Sequence, residues 1–473
     1  MASTKRQISG QPALRSALNN KSRARRADLS AIADVSSDRT ARNDLLPQLD
    51  LVERSPQQLI LPARNVRKIE PAHLLEVINS IRTFGFCDPP LIDDDNRVLD
   101  GVIRVEAAKR LGLSSIRCIQ AGHLSASERR LLRLALNRLG EKGRWELNEL
   151  KVELSELIAE GVSIEASGFT SAEVDHITIG DECDPIEAGA LTPIANATPV
   201  AQLGDVFLLG KHRLICGDAT NAETYTSLMG GNLARLVLTD QPYNVPIAGH
   251  VTKGDHNEFV MASGEMSAAE FSSFNASWMS VASQHVVDGG LLATFIDWRG
   301  YPSVNDAARS LGLTQLNLVV WTKTNAGLGS LYRSQHELLP LYKRGSASHV
   351  NNIELGKNGR WRSNVWTYPG ATSLGSESRK GLEFHPTVKP VAMLEDALLD
   401  ITNRGDIVLD PFLGSGSTLI AAERSGRVCR AIELDPRYVD LTIHRFEEQF
   451  GTRASHEATG RSFDELRSSR AIS

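Results

Sequence analysis

The strongest constraint on the fold of this 473-residue chain is an apolar run that ends in a glycine-rich turn. Val408 and Leu409 end the run, residues 410–416 read Asp-Pro-Phe-Leu-Gly-Ser-Gly, and a helical pattern covers 419–424. Glycines let the backbone approach a ligand at the carboxyl end of a strand, where open α/β sheets bind cofactors. The turn therefore predicts a cofactor site, with these candidate binding residues: Asp410, Phe412, Gly414 and Gly416.

An acidic residue at the end of the next apolar run adds to this prediction. Val428 to Glu433 reads as a strand, and Glu433 lies 23 residues after Asp410. A carboxylate about twenty positions after a glycine-rich turn is placed to hydrogen-bond ribose hydroxyls. A Gly-x-Gly turn alone is weak evidence for a nucleotide, so the interpretation depends on the motifs that accompany it.

The second motif delivers a carboxylate and an aromatic ring to the end of another apolar run. Residues 236–239 (Leu-Val-Leu-Thr) are followed by Asp-Gln-Pro-Tyr at 240–243. The amino group of a nucleobase is a poor nucleophile, because its lone pair is delocalised into the ring. If Asp240 and a neighbouring backbone carbonyl hold its two hydrogens, the nitrogen can attack a sulfonium methyl group in line. Tyr243 is placed to stack on a base rotated out of the duplex.

The third motif reads His-Pro-Thr-Val-Lys-Pro over residues 385–390, just before a predicted helix over 391–399. Two prolines bracket Lys389, which is typical of a rigid lead into a helix. By itself this motif indicates local structure only.

Together the three motifs resemble those of the amino-methyltransferases of DNA. Residues 240–243 look like the catalytic Asp-Pro-Pro-Tyr motif, and residues 410–416 look like the cofactor motif. Residues 385–390 resemble the motif that lines the methionine end of the cofactor pocket. The catalytic motif comes first, as in the permuted beta class, which includes many adenine methylases, and the likeness covers roughly residues 203–450.

The resemblance implies a Rossmann-like α/β sheet in permuted order, S-adenosyl-L-methionine as cofactor and double-stranded DNA as partner. It implies a site-specific, adenine-specific methyltransferase. The catalytic residues it implies are Asp240, Gln241, Pro242 and Tyr243. The cofactor-binding residues it implies are Asp410, Phe412, Gly414, Gly416, Glu433, His385, Thr387, Lys389 and Asp218.

Gln241 is a departure, because the family usually has proline at that position. The Asp240 carboxylate, the carbonyl of residue 241 and the Tyr243 ring are all retained, and only the rigidity of one residue is lost. We therefore expect an active enzyme. Three alternatives stay open: methylation of the exocyclic amine of cytosine, a DNA-binding regulatory protein with a degenerate methylase half, and methylation of RNA or protein.

The front of the chain resembles the N-terminal domains of ParB partition proteins. Residues 62–67 (Pro-Ala-Arg-Asn-Val-Arg) are similar to an early segment of those domains, and 99–112 are similar to their Gly-x-x-Arg-x-x-Ala-Ala signature. This resemblance implies a smaller α+β domain that contacts DNA or promotes assembly, with Arg104 as a hypothetical phosphate contact. The predicted division is a disordered basic arm (1–47), the ParB-like domain (48–182), a linker (183–202), the methyltransferase domain (203–452) and a tail (453–473).

Composition excludes several classes of protein. No run approaches eighteen apolar residues and the N-terminus lacks a signal-peptide core, so neither a membrane span nor secretion is expected. Five scattered cysteines without a Cys-x-x-Cys pair predict a reducing cytoplasm, no disulfide framework and no metal site. A net charge of −5 neither favours nor excludes DNA.

No endonuclease signature is evident, so a solitary methylase of the restriction-modification type is expected, and a homodimer stays open. Further candidate DNA contacts are Arg333, His336, Arg360, Arg362, Arg379 and Lys380.

Overall fold

The computed structural model describes residues 47, 49–64, 67–180, 198–244, 265–324, 326, 332–353, 360–370 and 388–470. The chain divides into two compact units, residues 1–144 and 145–473.

The first unit contains a small sheet with helices, as the α+β prediction requires. Its strands lie in the order β1-β4-β2-β3; β2 pairs parallel with β4, and the other two pairings are antiparallel. Ile92, Val98 and Val105 are among the residues of its small apolar core. The strands are β1 (Asp50–Arg54), β2 (Leu91–Ile92), β3 (Val98–Asp100) and β4 (Ile116–Gln120), and the helices are α1 (Pro71–Phe84), α2 (Val102–Arg110) and α3 (Ala126–Gly140).

Outside the four strands of this unit, Ile60 pairs with Arg97 in an isolated β-bridge. Arg104 is held within its own unit: its guanidinium donates to Asp100 at 2.6 Å and also pairs with Asp88. A DNA phosphate would therefore have to displace a carboxylate to reach Arg104.

The second unit is built on a mixed ten-stranded sheet, in the order β11-β9-β10-β8-β7-β12-β13-β6-β5-β14. Within the described sheet, β5 and β10 run opposite to the other strands, and the five central strands β8-β7-β12-β13-β6 are parallel. The strands are β5 (Val206–Leu209), β6 (His212–Cys216), β7 (Ala234–Thr239), β8 (Val286–Thr294), β9 (Thr314–Lys323), β10 (His336–Lys343), β11 (Val365–Tyr368), β12 (Ile407–Asp410), β13 (Val428–Glu433) and β14 (Ala454–His456).

Helices cover both faces of this sheet, which confirms the predicted α/β class. Neighbouring residues of the central strands point to opposite faces: Leu236 and Leu238 lie in one apolar core and Val237 in the other. Buried on both faces, these strands read as continuous apolar runs. The helices are α4 (Leu147–Ala159), α5 (Ser171–Thr178), α6 (Ala222–Met229), α7 (Ala268–Gln284), α8 (Tyr301–Ser310), α9 (Val391–Ile401), α10 (Ser417–Arg424), α11 (Pro436–Phe450) and α12 (Phe463–Arg470).

Helices α4 and α5 belong to the second unit, although the sequence placed them in the ParB-like domain. Asp175 of α5 is buried and pairs with Arg404 at 2.7 Å and with Arg427 at 2.8 Å. Arg427 is fully buried, so its charge requires a buried partner. This contact lies near the amino ends of β12 and β13, and the compact units divide after Arg144 rather than after residue 182.

In the part of the chain that the structure describes, no helix is both long enough and apolar enough to cross a membrane.

Candidate active site

The predicted catalytic and cofactor motifs meet at one edge of the large sheet. β7 is parallel to β12, and β12 is parallel to β13, so the turns after these three strands lie side by side. The Thr239 hydroxyl donates to the Asp410 carboxylate at 2.6 Å. This bond joins the catalytic turn to the glycine-rich turn, although 171 residues separate them.

Glu433 lies beside the glycine-rich turn, as the sequence predicts. Its carboxylate accepts the backbone N–H of Gly414 at 2.8 Å through one oxygen and that of Asp435 at 2.8 Å through the other. Burial raises the pKa of Glu433 to about 7, against the opposing effect of these two hydrogen bonds. Each oxygen keeps a further lone pair, so the group is suited to accept two neighbouring hydroxyls.

Asp410 is a second buried carboxyl at this edge. Besides Thr239, the backbone N–H of Phe412 donates to it at 3.1 Å. Burial raises its pKa to about 6. Among the described residues no ion pair joins a cation to Asp410 or Glu433. A buried site with two such carboxyls suits a ligand that has hydroxyls and carries positive charge.

The glycine-rich turn packs closely against helix α11. Gly416 has φ of +89°, and a Cβ there would lie 2.9 Å from Thr442 of α11. Arg445 of the same helix donates to the Ser415 carbonyl at 2.8 Å. The turn is thus held against α11.

The Asp240 carboxylate, which the sequence predicts to be catalytic, lies in a partly buried ionic cluster. Asp240 accepts the Tyr243 hydroxyl at 2.9 Å through Oδ1 and the Lys389 ammonium at 2.5 Å through Oδ2. Burial raises the pKa of Asp240, Glu337 raises it further, and Lys389 acts in the opposite direction. Lys389, predicted to bind cofactor, is therefore placed against the catalytic carboxylate.

Glu337 and Lys323 are the members of this cluster that lie outside the three motifs. Glu337 is the second residue of β10, and its carboxylate accepts the Lys323 ammonium at 2.5 Å and the Tyr243 hydroxyl at 2.8 Å. Lys389 lies 3.4 Å from it. Burial would raise its pKa, but the two lysines hold it at about 2. The available signal was a charged residue inside an otherwise apolar strand, over residues 336–343 (His-Glu-Leu-Leu-Pro-Leu-Tyr-Lys).

Gln241 is buried, with only 1% of its surface exposed. No described residue makes a hydrogen bond to its carboxamide oxygen or nitrogen. Proline in this position would bury no polar side-chain atom. The substitution therefore changes more than backbone rigidity, because it adds two polar side-chain atoms at a buried position.

The remaining predicted site residues have varied surroundings. Asp218 follows β6, next to Glu433, because the Gly217 N–H donates to the Glu433 carbonyl; its Oδ1 accepts Thr220. The Phe412 ring is half-buried and packs against Trp278. Pro242 is half-buried in the catalytic turn. His385, Thr387, Arg379 and Lys380 lie outside the described residues.

The basic residues suggested as DNA contacts divide into two groups. Arg360 is buried and pairs with Asp396 at 2.7 Å and Asp400 at 2.8 Å, and Arg362 joins the same carboxylates. These two arginines stabilise the packing of α9. Arg333 is exposed and lies just before β10, and His336, the first residue of β10, is half-buried.

A family described as DNA methylase, of the N6 and N4 type, matches residues 234–444. The match contains the Asp240 turn, the lysine cluster and the glycine-rich turn. The chain is accordingly a DNA methyltransferase. Its cofactor is S-adenosylmethionine, which the motifs imply and which suits the surroundings of Glu433.

The chain is similar to several known proteins. The type II methyltransferase M2.DpnII of Streptococcus pneumoniae is 29% identical over 231 residues, which are 45% of this chain and 82% of that protein. The solved M1.HpyAVI–SAM complex is 21% identical, covering 49% of this chain and 97% of that chain, with a TM-score of 0.37. The front of the chain is similar to the truncated partitioning protein ParB of Caulobacter crescentus complexed with CTP-gamma-S. That likeness is 22% identical, covers 28% of this chain and 71% of that chain, and has a TM-score of 0.21.

Proposed function

We propose that the chain is a site-specific methyltransferase for the exocyclic amino group of adenine in double-stranded DNA. The observation that carries the proposal is the aspartate at position 240, beside Thr239 and Asp410. A carboxylate there accepts an N–H and stabilises positive charge that develops on the nitrogen. Enzymes that methylate the cytosine amine more often have serine in this position.

The site residues divide into two sets in this proposal. Bound at the Asp410 and Glu433 edge, the cofactor supplies a methyl group on a positively charged sulfur. Glu433 holds ribose hydroxyls, and Asp218 holds the adenine amino group of the cofactor. The turn of residues 414–416 lets the backbone approach the ligand closely. His385 and Thr387 are assigned to the same pocket by the resemblance alone.

The catalytic set positions the substrate amine. Asp240 accepts one amine hydrogen, and the backbone carbonyl of Gln241 accepts the other. The nitrogen lone pair would then be free to take the methyl group that the cofactor supplies, the Asp240 carboxylate would stabilise the positive charge that develops on the nitrogen, and the surplus proton would pass to solvent. Tyr243, pinned by its hydroxyl to two carboxylates, presents its ring for stacking on the rotated base.

The test is incubation of the full chain with isotopically labelled S-adenosylmethionine and unmethylated genomic DNA, followed by digestion to nucleosides and mass analysis. Labelled N6-methyladenine is the expected product. N4-methylcytosine would retain the mechanism and overturn the choice of base. Asp240→Asn should abolish the product while cofactor binding persists, and Glu448→Gln, an exposed change on α11, should leave the product unchanged.

A further inference from the structure

The cluster around Asp240 contains equal numbers of negatively and positively charged groups. Two carboxylates, Asp240 and Glu337, face two ammonium groups, Lys323 and Lys389, and Tyr243 donates towards both carboxylates. The formal charges of the four ionised groups sum to zero. Buried charges are tolerated when they are paired in this way, and loss of one partner is strongly destabilising.

The arrangement leaves Asp240 engaged before any substrate arrives. Tyr243 occupies one of its oxygens, and Lys389 is 2.5 Å from the other. A charge-assisted bond of this length is among the strong hydrogen bonds of proteins. An incoming amine must therefore share or replace the lysine at Oδ2.

Glu337 is a second carboxylate that Lys389 can pair with. Its Oε2 lies 3.4 Å from the Lys389 ammonium, only about 1 Å farther than Asp240 Oδ2. Lys323 holds the other oxygen of Glu337 at 2.5 Å, which fixes the acceptor in place. If the Lys389 ammonium moves by roughly 1 Å, it can leave Asp240 and remain paired in the buried site. The move therefore produces no unpaired buried ammonium.

We infer that Glu337 is a positioning residue that takes over Lys389 when the substrate amine engages Asp240. The inference rests on the proposed function, because it concerns the same catalytic carboxylate. In this arrangement Lys389 keeps Asp240 ionised and oriented in the free enzyme. Glu337 then removes the competing cation, so that the Asp240 charge is directed to the nitrogen as it becomes positive.

The test compares Glu337→Gln, Lys389→Met and the double variant by single-turnover methylation at saturating DNA and cofactor. Glu337→Gln should lower the rate at least tenfold, because Lys389 then has Asp240 as its only carboxylate partner in the cluster. The double variant should be faster than Glu337→Gln alone, since the trapped cation is gone. A residue needed only for packing would give a double variant no faster than Glu337→Gln, and that result would overturn the inference.

A second readout is the pH dependence of the same rate. Glu337 raises the pKa of Asp240 and Lys389 lowers it. Protonation of Asp240 should lower the methylation rate at acidic pH. This fall in rate should therefore occur at lower pH in Glu337→Gln and at higher pH in Lys389→Met. Tyr243 and Asp410 also face Asp240, so both single variants are read at the same cofactor saturation.

Controls separate the possible failures. Glu448→Gln is chemically identical but exposed, and it should match the unaltered chain. Thermal unfolding and cofactor binding show whether each variant folds, and a folded Glu337→Gln with full rate would overturn this inference alone. If the unaltered chain transfers no methyl group, the proposed function fails and the inference fails with it.

Discussion

Thr239 donates its hydroxyl to the carboxylate of Asp410 at 2.6 Å, and both groups are buried. The bond links the last residue of β7 to the last residue of β12. The catalytic and cofactor turns are therefore positioned by one hydrogen bond between adjacent parallel strands. A neutral donor also lowers the pKa of Asp410, against the effect of burial.

Thr239→Val should weaken both stability and cofactor binding. Removing a donor leaves a buried acceptor short of a partner, which costs about 1–3 kcal/mol. We expect a loss of this size in the free energy of unfolding and weaker binding of S-adenosylmethionine by calorimetry. The matched control is Thr294→Val on β8, where the buried hydroxyl makes only a 3.5 Å contact with the Phe295 carbonyl. Equal effects of the two changes on the free energy of unfolding and on cofactor binding would contradict a specific role for the Thr239–Asp410 hydrogen bond.

Cofactor affinity should rise with pH because of Glu433. Its pKa is raised from 4.5 to about 7, so the carboxyl is increasingly ionised as the pH passes 7. The ionised form accepts two hydroxyls and attracts a positively charged ligand. Calorimetric titration from pH 6 to pH 8.5 should show tighter binding at the upper end, and Glu433→Gln should bind weakly with a flatter dependence.

The stability of the ligand-free chain should change in the opposite direction. A carboxyl whose pKa is raised on folding contributes stability that is complete below about 4.5 and is lost as the pH rises through about 7. Asp410, at about 6, adds a loss of the same sign. Denaturant unfolding at pH 5 and pH 8 should therefore show a smaller loss in Glu433→Gln than in the unaltered chain; an unchanged difference would contradict the assigned burial of Glu433.

The sequence could predict what depends on strand ends and short motifs. Asp240 directly follows a buried strand, Asp410 and Glu433 each end one, and parallel strands bring their carboxyl ends to one edge of the sheet. The partnership of Glu337 with Tyr243 spans 94 residues and that of Lys389 with Asp240 spans 149. Local periodicity carries no information on such pairings, so the ionic cluster could be found only in the folded chain.

Gln241→Pro should stabilise the chain and leave its catalytic geometry intact. It removes two buried polar atoms that have no partner among the described residues, each at a cost of about 1–3 kcal/mol. The backbone carbonyl that we assign to the amine remains. We expect a higher Tm by calorimetry and a methylation rate at least equal to that of the unaltered chain.

Gln241→Leu separates stability from rigidity in this experiment. It also removes the polar atoms but does not fix the backbone, so it should raise Tm without raising the rate. If both variants instead lose DNA affinity, the carboxamide contacts the substrate, and its burial without a partner is then explained by the bound state.

Helix α5 should be required for the stability of the methylase unit, because Asp175 is the buried counter-ion of Arg427. Asp175→Ala leaves that guanidinium uncompensated, and breaking a buried pair in this way costs about 3–5 kcal/mol. Denaturant unfolding should show a loss of that size, whereas Glu165→Ala, an exposed change between α4 and α5, should have little effect. A small loss in Asp175→Ala would mean that residues 147–178 are only loosely attached, and the division between the units would then move back towards residue 182.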